Sequence, residues 1–283
     1  MTVTPFPGSG APTVTLTAAP LFDVERVLAS IDTMAAQRPV AAQIVSVANS
    51  DDTSAKALAR ILASDVALAS RVMKLANSAY FGMRGRVTSL QFAVTVVGFT
   101  TVRTMATVAL TDLDDESRLP EYFWDLTTTI ALASSTLAPR FGERPQDALC
   151  IGLLAQLGMA LLAHNDAEGH AGLRAENSAF ADLRAAEVQR YGISALRLTA
   201  VALEQWGFPR EMVSVLNKVE EITAPEGSLL RAAFEVAGRM TLENYEPIPV
   251  SRLTCGVLGE DDLAPVLQRV WVEAEELRAA MLG

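Results

Sequence analysis

The chain has 283 residues, half of them hydrophobic and only 6% aromatic, enough for one large or two modest domains around a sizeable core. Lys plus Arg number 23 against 33 Asp plus Glu, and the resulting formal charge of −10 disfavours a polyanion such as DNA as partner. Two cysteines far apart with no CxxC argue against a disulfide framework or zinc site, and no basic stretch precedes an apolar one at the N-terminus, as a signal peptide requires.

Residues 1–20 carry Pro, Gly, Thr and Ser without apolar periodicity and are expected to form a disordered tail. From Asp23 a helical period begins, with Val24, Val27, Leu28, Ile31 and Met34 on one face. Pro39 interrupts it, and Val40, Ile44, Val45 and Ala48 mark a second short helix. Thr53 or Ser54 caps a third helix carrying Leu58, Ile61 and Leu62 inward. Ser64-Asp65 caps a fourth, with Val66, Ala69, Val72, Met73 and Ala76 expected on its buried side. Thr88 or Ser89 opens a fifth, broken at Gly98, and Thr100 or Thr101 starts a sixth. The acidic, Pro-containing stretch from Asp112 to Pro120 suggests a junction between subdomains of about 21–118 and 119–283.

Beyond it, helical periodicity covers Tyr122–Leu137, Gln146–Ala163, Phe180–Tyr191, Ala195–Trp206, Pro209–Val219, Ser228–Met240 and Leu263–Leu282. The apolar run from Ala148 to Ala163 is broken by Gln156 and short for a bilayer, so it reads as a core helix of a cytoplasmic protein. No alternating pattern calls for a strand, and the fold reads as all-α. His164, Asp166, Glu168 and His170 fall within seven residues, but without regular histidine spacing they read as a polar connection. Arg60, Arg71, Lys74, Arg84, Arg86 and Arg103 form a basic segment in an acidic chain. Within it Lys74, Arg84, Arg86 and Arg103 are candidates for binding an anion or ligand, with Gly82 and Gly85 allowing main-chain N–H groups to join Arg84 and Arg86. The alternative is a solvated face whose arginine stems cover apolar surface. Helices either side of Gly98 suit a helix-turn-helix poorly, because Thr104 and Thr107 stand where it needs apolar residues. Asn77 and Ser78, at the end of the fourth helix, are expected to lock it to the Tyr80-Phe81 loop, with a ligand contact as the alternative. Trp124 and Trp206 are expected to fill interfaces between helices.

Three motifs in order carry a resemblance: the stretch from Ala63 to Gly82, which starts a helix at Ser64-Asp65-Val66 and ends in Leu75-Ala76-Asn77-Ser78-Ala79-Tyr80-Phe81-Gly82, then Val87-Thr88-Ser89-Leu90-Gln91-Phe92-Ala93, then Val97-Gly98-Phe99-Thr100-Thr101-Val102-Arg103. Together they resemble the HDOD domain, and the resemblance extends from about Asp23 to the C-terminus. Two positions depart from the family pattern, with Val66 standing for a proline and Arg38-Pro39 for a longer Leu-Pro entry. The resemblance implies an N-terminal helical subdomain followed by a degenerate relative of the HD metal-dependent phosphohydrolase fold. In that fold a His, a His-Asp pair and a later Asp hold a metal that generates hydroxide. Carried over by position, these ligands fall here on Leu126, on Ala155 and Gln156, and on Gly238, and the whole chain has two histidines. The implied protein is a non-catalytic bacterial regulator without cofactor. It would act on a protein partner in a signalling pathway, with homodimerisation one route. Two alternatives stay open: a regulator binding a nucleotide or cyclic dinucleotide, and a phosphohydrolase with unconventional ligands such as His164, Asp166 and His170.

Overall fold

A computed structural model describes residues 23–48, 53–111, 113, 119–177, 180–243 and 245–282, with the side chains of 29–35 outside that description. The tail read at 1–20 and most of the junction read at 112–120 lie outside the described residues. The described chain is all helical, without a strand. The first half comprises α1 (Val24–Gln37), α2 (Pro39–Val47), α3 (Ala55–Leu62), α4 (Val66–Ala76), α5 (Leu90–Val97) and α6 (Phe99–Leu110). The second comprises α7 (Phe123–Leu137), α8 (Pro145–Leu154), α9 (Leu157–Asn165), α10 (Ala167–Glu176), α11 (Phe180–Tyr191) and α12 (Ala195–Gln205), then α13 (Arg210–Val219), α14 (Ser228–Thr241), α15 (Val250–Leu253) and α16 (Leu263–Leu282).

Helix starts follow their capping chemistry. Ser54, Asp65, Ser89 and Ser194 each accept a main-chain N–H of the first turn, which satisfies a donor that the helix itself leaves unpaired. On α4 the buried stripe is Leu68, Val72, Leu75 and Ala76, whereas Val66 is 82% exposed. Of the expected inner face, Val72 and Ala76 are buried and Ala69 and Met73 pack partly buried against the core, while Val66 falls on the side opposite Leu68. A further difference lies after α9. The polar stretch read as a connection continues into α10, because Asp166 caps it by accepting the Gly169 N–H at 3.2 Å.

α7 is the central element, packed by α8, α14 and α16. α6 joins the halves by touching both α2 and α8, and α16 runs back from α7 to α4. Buried apolar residues from Val27 to Met281 therefore form one continuous core. α6 meets α5 at 103°, turned at Gly98 with φ +80°, and every residue from Thr101 to Leu110 on it is buried. It presents no face to a nucleic-acid groove. The segment Pro145–Asn165 is long and apolar enough to cross a bilayer, yet 89% of its apolar 18-residue window is buried inside the protein.

One buried cation organises the far end. The Arg231 guanidinium donates to the carbonyls of Leu253 (2.7 Å), Lys218 (3.1 Å), Glu221 (2.8 Å) and Ala224 (2.6 Å) and to Ser228 Oγ (3.0 Å). It thereby caps the C-terminus of α13 and ties the turn into α14 to α15, with burial lowering its pKa. Arg231→Leu leaves these carbonyls dry and unpaired, and chemical denaturation should show a loss of about 3–5 kcal/mol. Arg231→Lys should recover only a minor part, since an ammonium lacks the planar five-donor fork.

Candidate functional site

The run read as one helix from Gln146 to Ala163 breaks at Ala155 and Gln156, where α8 ends and α9 begins. Thr199 of α12, wholly buried, spans the break. Its Oγ1 accepts the Gly158 N–H at 2.8 Å, and its one hydroxyl proton lies between the carbonyls of Ala195 (3.1 Å) and Ala155 (3.3 Å). Gly158 makes this clasp feasible, because a β-carbon there would run into the Ala195 main chain. The backbone groups freed by the kink are thus paired by a neighbouring helix.

Beside the corner lies a cavity of about 180 Å³ bounded by α9–α12, α14 and the chain after α14. Its walls are mainly apolar, with Met159, Phe180, Leu183, Leu196 and Phe234 prominent, and Gln156 among the lining residues. Three carboxylates border it, and each has internal partners. Glu235, 1% exposed, accepts Arg239 Nε (2.7 Å), the Ile248 N–H (3.0 Å) and the Tyr245 hydroxyl (2.6 Å). Burial, with Glu235 close by, holds the Tyr245 hydroxyl well above the usual phenol range. Glu187 accepts the Ala195 N–H at 2.8 Å and lies 3.4 Å from Nε2 of the buried His170. Glu220 accepts the Ser194 hydroxyl at 2.5 Å.

The HDOD domain family model matches residues 34–222. The chain belongs to the HDOD family. Its fold is shared with a candidate phosphohydrolase from Shewanella amazonensis SB2B, at 21% identity and a TM-score of 0.65, covering 91% of this chain and 98% of that one. A Geobacter sulfurreducens HDOD domain protein of unknown function matches at 18% identity and a TM-score of 0.60, covering 92% and 98%. A candidate signal transduction protein from Marinobacter aquaeolei VT8 matches at 18% identity and a TM-score of 0.63, covering 94% of this chain and 68% of that one. No curated protein matches the sequence.

The HDOD kinship makes the HD-type metal the group to test against these residues. Ala155 offers a methyl and Gln156 a neutral amide where the His-Asp pair would stand, and Leu126 is fully buried among apolar neighbours. At Gly238 the Tyr245 ring occupies the space in which a side chain would begin. Among the described residues no three His, Cys, Asp or Glu side chains come together as a metal site. His164 is exposed while His170 points inward to Glu187, and Asp166 serves α10 and α11. The residues present do not fit the metal.

The basic residues separate. Arg103 does not join the others: it is 2% exposed, its guanidinium lies 3.9 Å over the Phe208 ring, and Nη2 donates to the Trp206 carbonyl at 2.5 Å. Because α6 is buried all round, its arginine folds against the chain between α12 and α13, and burial lowers its pKa to about 10. Lys74, Arg84 and Arg86 are exposed, and Arg84 pairs with Glu276 of α16 at 3.2 Å. Glu276 also accepts the Ala79 N–H at 2.9 Å, so this loop holds the C-terminal helix. Asn77 closes the loop by exchanging hydrogen bonds with the main chain of Val87 (2.9 and 3.0 Å), beside the buried Ser78. Trp124 is buried and donates to the Leu113 carbonyl at 3.2 Å, and Trp206 is half-buried.

Sequence reasoning missed Thr199, Glu187 and Glu235. A signal existed for the acids: Leu183-Glu187-Tyr191 and Arg231-Glu235-Arg239 are i, i+4 rows that place a carboxylate on a buried or self-paired stripe. Nothing marked Thr199.

Thr199→Val keeps the shape and removes the hydroxyl, and thermal unfolding should report a loss of about 1–3 kcal/mol from the stranded Gly158 N–H and Ala155 carbonyl. Asp166 accepts Arg190 Nε at 2.7 Å, the chief cause of its lowered pKa, together with the Tyr191 hydroxyl at 3.1 Å. A carboxyl depressed on folding stabilises above its unfolded pKa of about 3.9 and loses that contribution as pH falls through the lower folded value. Asp166→Ala should therefore cost about 1–2 kcal/mol at neutral pH. That difference should shrink when the two proteins are compared below about pH 4.

Proposed function

We propose that this chain is a cytoplasmic bacterial HDOD regulator without phosphohydrolase activity, acting by non-covalent contact with a signalling partner. The observation that carries the reading is the α8–α9 corner. Hydrolysis of a phosphoester by this fold needs carboxylate and imidazole lone pairs converging on one cation. Here the break holds Ala155 and Gln156, the position at Gly238 is covered by an aromatic ring, and Thr199 pairs the main chain at Ala155 and Gly158. The nearby acids Glu187 and Glu235 already accept two and three internal donors or close contacts, so ligating a cation would require breaking them. Membership of the HDOD family, and a shared fold with a protein described as acting in signal transduction, favour a regulatory role. The continuous core supports transmission between halves, since α6 and α16 each touch both.

Purified protein incubated with manganese or magnesium and a panel of cyclic dinucleotides and bis(4-nitrophenyl) phosphate should give no turnover above the blank. Metal analysis should find none retained in stoichiometric amount. Stoichiometric metal together with turnover abolished by His164→Ala, or by Glu187→Gln, would overturn the reading.

A further inference from the structure

We infer that the cavity beside Ala155 and Gln156 binds a small amphipathic anion, an apolar body of benzene or short-alkyl size carrying one carboxylate or phosphoryl head. The inference deepens the regulatory reading, because a non-catalytic cavity of this kind would supply the signal.

The argument starts from hydrogen-bonding capacity. The formal charges around the cavity balance, with Arg174, Arg184 and Arg231 facing Glu187, Glu220 and Glu235. Their availability does not. The three acids accept the internal donors described above, and Arg231 is spent on carbonyls. Arg174 and Arg184, both half-buried, have no carboxylate partner among the described residues, and the Arg174 guanidinium merely stacks 4.8 Å over the Tyr122 ring. Gln156, only 6% exposed, lines the same cavity.

Two guanidinium forks, which can only donate, thus stand without a carboxylate partner on an apolar enclosure, with the Gln156 amide beside them. Guanidinium groups recognise carboxylate and phosphoryl oxygens through paired N–H donors. The walls supply the other half of the selectivity, since Met159, Leu183, Leu196 and Phe234 reward a body without polar atoms. Size sets the limit. A dry cavity of about 150 Å³ accommodates benzene, so one of about 180 Å³ suits a chain of roughly six carbons rather than a nucleotide.

Calorimetry on the full chain with hexanoate, hexyl phosphate, 1-hexanol and hexylammonium tests this directly. Saturable one-to-one binding of at least one anion, with Kd below about 1 mM, is expected. The alcohol and the ammonium should bind at least about tenfold more weakly, and the tighter anion identifies the head group. Arg174→Ala combined with Arg184→Ala, checked for an unchanged circular dichroism spectrum, should weaken the anion at least about tenfold. The comparison of four probes needs no variant and stands if the double variant misfolds. Absence of anion binding at millimolar concentration, equal binding of the alcohol or ammonium, or a folded double variant of unchanged affinity overturns the inference. None of these outcomes bears on turnover, so this proposal and the regulatory reading fail separately.

Discussion

The rest of the second half depends on how a broken apolar helix is held. α8 and α9 run through the core nearly end to end, and the break between them leaves an N–H and a carbonyl with no helical partner in a place without solvent. Thr199 supplies both an acceptor and a donor from α12, and Gly158 lets that helix come close enough to do so. The consequence is geometric. With α12 pinned against α9, α11 and α14 stand around the corner, and the space they do not fill is the cavity.

Charge inside this protein is managed by internal partners. Arg231 meets carbonyls, Glu235 meets Arg239, Tyr245 and a main-chain N–H, and Glu187 meets His170 and the start of α12. Such arrangements are stabilising only when nearly every lone pair and proton is used, and a half-satisfied one is worse than an apolar core. Arg174 and Arg184 differ in lining one cavity without a carboxylate partner among the described residues.

The first half has a different design. Its long loop after α4 is closed by Asn77 on Val87 and then grips the C-terminal helix through Glu276, while the Tyr80 hydroxyl meets Ser135 Oγ of α7 at 2.7 Å. The motif that carries the family resemblance is therefore the hinge of contact between the N-terminal helices, α7 and α16. Exposed pairs such as Arg84–Glu276 contribute little stability by themselves, and the main-chain and buried bonds around them do the holding.

The sequence by itself determined the helical class, most helix limits, the core face of α16 and the family. These are local properties: apolar periodicity, capping side chains and residue identity at motif positions. On α4 only Val66 was misjudged, because this first-turn position lies opposite Leu68 on the helix. Only the tertiary structure decided the rest. Arg103 turned inward because α6 is enclosed on every side, and the cavity emerged from segments more than sixty residues apart. A hydroxyl such as that of Thr199 carries no periodicity, and its role exists only where another helix presents two unpaired backbone groups.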